Sequence, residues 1–244
     1  MKRSFRRTAV LFLSLILVLS AAACGKKEVV KAPVSAAEPP SELISLFEGV
    51  RTRVDDVTYS GMKAYSGVFT EDGGNRVVEN VACASFYNGG DKSIRYMLID
   101  AKTTDGQDLQ FKLTSVPPMK TISVPELSAA PYVEGMEIES ISCSQKIYFD
   151  TEPSAMEDTF SYTVSKGSIT VTNISDADVT GEIAVYYKTV DGEELVGGTT
   201  YRTTIPGGLR AGDSAAAVAG HFDPENTAIL FAEIVVPEDT SIHG

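Results

Sequence analysis

The chain has 244 residues, a formal net charge of −12, 43% hydrophobic residues and no tryptophan. An excess of 33 acidic over 21 basic residues excludes a basic nucleic-acid-binding surface, because phosphate recognition needs clustered Lys and Arg. Two histidines leave little material for metal or acid–base constellations.

The first 23 residues read as an export signal. Lys2, Arg3, Arg6 and Arg7 form a cationic start, an apolar run follows from Ala9, and small residues lead into Cys24. The run is about fifteen residues, short of the roughly 20 a helix needs to cross a bilayer, so a permanent transmembrane helix is disfavoured. Ala21-Ala22-Ala23-Cys24-Gly25 resembles the lipobox of bacterial lipoproteins, with Ala21 where that family usually has Leu. The resemblance implies cleavage before Cys24, diacylglycerol on its thiol and a membrane as partner through two acyl chains. At about 0.8 kcal/mol per buried CH₂, one chain binds reversibly and two hold stably. The expected location is the extracytoplasmic face of the cell membrane; Gly25, in place of Asp, permits outer-membrane sorting in a cell that has one. Loss of residues 1–23 would take the charge from −12 to −16.

Residues 24–50 read as the lipidated cysteine, a charged, proline-bearing tether and one short helix. The stretch 25–40 has no sustained apolar period and cannot bury enough surface to fold. Lys26, Lys27 and Lys31 would face anionic head groups. Leu43, Leu46, Phe47 and Val50 then fall at helical spacing behind Ser41 as N-cap.

The remainder is organised by a repeat. Lys102-Thr103-Thr104-Asp105-Gly106-Gln107-Asp108-Leu109 and Lys188-Thr189-Val190-Asp191-Gly192-Glu193-Glu194-Leu195 agree at five of eight positions. Upstream, each copy has an alternating strand running into an Asn-containing turn, at Asn88 and Asn173, and a second strand, over 94–101 and 179–188. Period-two alternation puts Ile183, Val185 and Tyr187 on one face, and Asp105-Gly106 and Asp191-Gly192 are hairpin dipeptides. Closing strands are expected over 138–149 and 228–236. The expected fold is all-β: two tandem antiparallel, immunoglobulin-like β-sandwiches at 51–152 and 153–240.

Ile183-Ala184-Val185-Tyr186-Tyr187 followed by Asp191-Gly192, with Pro206-Gly207-Gly208-Leu209 leading to Ala211-Gly212-Asp213, resembles the FxLYD-type, immunoglobulin-like domains of bacterial envelope lipoproteins. The motif departs at Ile183, in place of Phe, and at Tyr187, in place of Asp. Such domains share a fold and no common activity.

No nucleophile elbow, P-loop or zinc motif is present, so no catalytic residue, cofactor or metal is assigned. His221 with Asp223 could form a ligand pair, but a loop or strand-end role is favoured; His243 is in the tail. Asp105, Asp108, Asp191, Glu193 and Glu194 lack calcium-loop spacing. Cys83 and Cys143 admit a cross-sheet disulfide or two buried free thiols, and the second is favoured. Tyr186, Tyr187 and Tyr201 are candidates for a binding surface, with core packing the simpler use, and Gly197-Gly198 suggests a bulge or a close backbone approach. The functional expectation is a non-enzymatic, lipid-anchored envelope protein with an interaction or structural role through its two β-sandwich modules, its partner an unknown envelope protein or ligand. The alternative is a solute-capturing or sensory lipoprotein with a ligand between the two sandwiches.

Overall fold

Among the described residues thirteen strands follow one another in the order the turn residues dictate. They are β1 (Arg53–Val54), β2 (Val57–Val68), β3 (Val77–Asn88), β4 (Ile94–Thr103), β5 (Asp108–Val116), β6 (Lys120–Pro125) and β7 (Ile138–Tyr148) in the first half. The second half holds β8 (Phe160–Ser165), β9 (Ser168–Asn173), β10 (Glu182–Asp191), β11 (Glu194–Ile205), β12 (Ser214–Val218) and β13 (Thr227–Val235). A 3₁₀ turn, Thr70–Asp72, sits in the β2–β3 connection. The structure is a computed structural model that describes residues 52–236. The signal peptide, Cys24 with Ala21, Ala22, Ala23 and Gly25, the tether, the helix expected behind Ser41 and His243 lie outside the described residues.

The protein is all-β, with antiparallel sheets arranged as sandwiches. In the first half β2-β3-β6 packs on β5-β4-β7, and in the second β8-β9-β12 packs on β11-β10-β13, so the repeat read from the octapeptides extends to six corresponding strands. The octapeptides form the β4–β5 and β10–β11 hairpins. Gly106 and Gly192 adopt φ of 88° and 60°, values that glycine reaches without strain. Each half has its own core. Phe86, Ile99, Phe111 and Ile122 belong to the first, and Phe160, Val171, Ile183 and Tyr187 to the second.

Asn88 and Asn173 lock the same turn in each half. The Asn88 amide donates to the carbonyls of Lys92, Val116 and Pro117, while its Oδ1 accepts from the Gly90 N–H. The Asn173 amide donates to the carbonyls of Ala177 and Leu209, while its Oδ1 accepts from the Ser175 N–H and hydroxyl. A buried amide costs stability unless its donors and acceptor are matched, and here they are.

The expected boundary at 152/153 falls between β7 and β8, yet strands on both sides of it share one seven-stranded sheet, β1-β2-β3-β6-β11-β10-β13. The join is a short parallel pairing of β6 with β11, Leu195 opposite Ile122 and Val196 opposite Ser123. All described residues fall in one compact unit. Along this sheet the buried face changes. Leu195 belongs to the first core and Val190 packs against it, while Ile183, Val185 and Tyr187 on the alternate positions of β10 belong to the second.

Candidate functional site, a buried polar junction between the halves

That change of face sets the position of Lys188. It alternates with Tyr187, so it points away from the second core and toward the first half, where the outer side of β10 is covered. Its relative exposure is 0%, and it is among the largest fully buried side chains of the described residues. Lys102, at the same place in the first octapeptide, is exposed.

β11 adapts to the buried lysine with a wide bulge. Tyr187 pairs with Tyr201 and Thr189 with Val196, which leaves residues 197–200 opposite Lys188 alone. The Lys188 Nζ donates to the Gly197 carbonyl at 2.7 Å and reaches the Thr114 hydroxyl at 3.4 Å. Around it, Lys112 of β5 donates to the Thr199 hydroxyl at 3.1 Å and to the Glu71 carbonyl at 3.3 Å. Glu71, on the 3₁₀ turn, buries its carboxylate to 1% exposure. Its Oε1 accepts from the Gly198 N–H at 2.6 Å and from Thr70 at 3.2 Å. Its Oε2 lies 3.3 Å from the Lys112 ammonium and accepts no hydrogen bond. Thr114 bonds the Gly198 carbonyl and the Thr200 hydroxyl.

Gly197 and Gly198 are required by this packing. A Cβ on Gly197, which has φ of 84°, would overlap the Thr70 side chain, and one on Gly198 would overlap the Lys112 carbonyl. The close backbone approach and the bulge expected at this pair are both present.

Two amines thus share a site with one carboxylate, and only Lys112 is paired with it. Burial pushes the Lys188 amine down to about 7, Lys112 adds to the depression and Glu71 opposes it. A neutral amine still donates to Gly197, so the hydrogen bond survives loss of the proton.

Two further contacts brace the junction. Glu194 of β11 accepts from Ser123 at 2.5 Å and Ser85 at 3.2 Å, with Lys63 at 3.5 Å, so it ties the second half to three strands of the first. Phe149, just past β7, packs edge-on against Phe231 at 5.4 Å, and Phe231 stacks on Tyr186 at 4.3 Å. Tyr187 is a core residue, 1% exposed, stacked with Tyr201.

Cys83 and Cys143 carry free thiols. On β3, Ala82, Ala84 and Phe86 face the first core, so alternation turns Cys83 outward, beside Lys63, Ser123 and Glu194, whereas Cys143 packs toward the core from β7. The two side chains stand on opposite sides of the β3 sheet. Burial pushes the Cys83 thiol up to about 12, despite the nearby Lys63, so it is a poor nucleophile. Cys143 is half-buried, in contrast to the expectation of two buried thiols.

His221 has φ of 63° and stacks on Tyr201 at 4.7 Å, and Asp223 pairs with Lys166 at 3.0 Å. Asp105 accepts from Thr103 and Gln107, which hold its carboxyl below the usual range. Among the described residues no group of three or more His, Cys, Asp or Glu converges as metal ligands would. A cavity of about 410 Å³ is bounded by Asp178, Gly208, Arg210 and Asp213, and one of about 260 Å³ by Asp55, Asp91, Lys146 and Tyr148. Each is lined from one half alone.

Sequence reasoning overlooked Glu71, Lys112 and Lys188. The one local signal was the Gly197-Gly198 pair interrupting a strand opposite a lysine. The chain matches no protein-family model and no curated protein.

Proposed function

We propose that the chain is a non-enzymatic, lipid-anchored protein of the bacterial cell envelope, whose two β-sandwich modules act as an interaction or structural unit held off the membrane. The observation that carries this reading is Ala21-Ala22-Ala23-Cys24-Gly25 at the end of a cationic and then apolar leader. No helix of the described residues is long and apolar enough to cross a membrane. Glu71, Lys112 and Lys188 fill the junction with the protein's own groups, which favours braced modules over a clamp that holds a solute. The alternative, a solute held between the halves, draws less support because each cavity is lined from one half. The acidic surface favours a protein or neutral partner over nucleic acid.

The test is Cys24→Ala in cells fed an alkyne-bearing fatty acid. The expected result is loss of lipid labelling and release from the membrane fraction with the folded part unchanged. A variant that stays membrane-bound overturns the anchor, and substrate turnover abolished by a single side-chain change overturns the non-enzymatic reading.

A further inference from the structure

We propose that the buried junction is a proton-operated latch, in which taking up a proton at Lys188 loosens the Gly197–Thr200 bulge and, with it, the contact between the two halves. The geometry is that of a lysine with no carboxylate of its own. Lys188 is wholly buried, and its neighbours are a backbone carbonyl and a hydroxyl. Glu71, the one carboxylate facing the site among the described residues, is already engaged by Lys112 and by the Gly198 N–H. β11 contributes no titratable group within the bulge, where Thr199 and Thr200 stand. β13 sets Ala228 beside Lys188, and Tyr186, its same-face neighbour on β10, is turned to Glu233.

A proton on Lys188 therefore creates a second buried cation beside one shared carboxylate. An isolated buried charge is costly in a low-dielectric interior, and the least expensive relief is to let water reach it. The bulge is the part that can give. Four residues there lie outside the β10–β11 ladder, and their hold on the first half runs through the Gly198 N–H to Glu71 and the threonine contacts.

The sign follows from linkage. In the closed junction the amine loses its proton near pH 7, while a hydrated lysine keeps it to about 10.4. Opening therefore takes up a proton between these values, so the open population falls about tenfold for each unit the pH rises above 7. It is nearly constant below.

The experiment is amide hydrogen exchange on the full chain from pH 6 to 9, corrected for intrinsic rates, read at Gly198 and at Val171 and Ile99 in the two cores. The expected result is a Gly198 protection factor that rises by roughly fifty-fold between pH 7 and 9, levels off toward pH 6, and stays below those of Val171 and Ile99 throughout. In Lys188→Met the rise should vanish. Lys112→Met keeps the titrating amine but removes a repelling charge, so the level region should extend to higher pH. A flat wild-type profile, an unchanged slope in Lys188→Met, an unshifted profile in Lys112→Met, or Gly198 protection equal to that of the cores would each overturn the latch.

Discussion

The two halves follow one plan and differ at their edges. In the first half β5 pairs with β4 in regular register and Lys102 points to solvent, whereas in the second β11 bulges by four residues opposite Lys188, which is buried. β6 of the first half pairs with β11 of the second, while its counterpart β12 lies at the edge of its sheet. The lesson is that duplication copies the strand order and the turn chemistry, and that joining the copies then imposes new demands on whichever face becomes covered. The same Lys-Thr-x-Asp-Gly hairpin is a surface feature in one copy and part of the interior in the other.

The largest effect is expected at the bulge. Gly198→Val would drive a branched side chain into the Lys112 carbonyl, a backbone group, and the Glu71 carboxylate. The expected cost exceeds about 3 kcal/mol, above the usual range for overpacking because the obstruction is backbone. Chemical denaturation should show it, and a loss below about 1 kcal/mol would mean that the junction is looser than its geometry.

Next come the two asparagines, where the halves should behave alike. Asn88 and Asn173 are 2% and 0% exposed and each ties its own turn to a distant loop. Replacing either by Ala leaves buried carbonyls without a donor, at about 1–3 kcal/mol each. The two costs should agree within about 1 kcal/mol and add in the double variant, since the sites are in separate cores. Unequal costs, or strong non-additivity, would break the structural equivalence of the copies.

What could be read from the chain follows the same division. Alternation at Ile183, Val185 and Tyr187, glycine after aspartate at positions 106 and 192, and Asn88 and Asn173 at strand ends are local signals, so strands, hairpins and the repeat were legible. The β4 and β10 strands run two and three residues past their expected ends, into the hairpin turns. The parallel meeting of β6 with β11 has no local signature, because Lys120–Pro125 carries the pattern of any short buried strand. Lys188 was the hardest to place. Alternation correctly points it away from Tyr187, and an exposed lysine is the ordinary outcome. Its burial depends on Glu71 and Lys112, which come from elsewhere in the chain and meet it only because the two halves share a sheet.

The smallest energetic effect, and the one most specific to the difference between the copies, is expected from the two lysines. Lys102→Met should leave stability unchanged at any pH, since Lys102 is exposed. Lys188→Met should instead stabilise the protein at pH 6 by about 1–2 kcal/mol, because a thioether of similar length replaces a buried cation and the lost hydrogen bond to Gly197 returns less. The pH dependence separates this from a packing effect. The Lys188 amine is lowered in the folded state, so between about 7 and the ordinary lysine range the unfolded chain holds more protons and wild-type stability rises with pH. Burial raises the Cys83 thiol and the Tyr59 and Tyr187 phenols, each to about 12; these groups ionise first in the unfolded chain and turn the slope downward at higher pH. The useful interval is therefore pH 7 to 9. Over it the wild type should gain about 2 kcal/mol, so the advantage of Lys188→Met should vanish and then reverse, and a difference that stays constant with pH would show that Lys188 does not pass from charged to neutral within the folded junction.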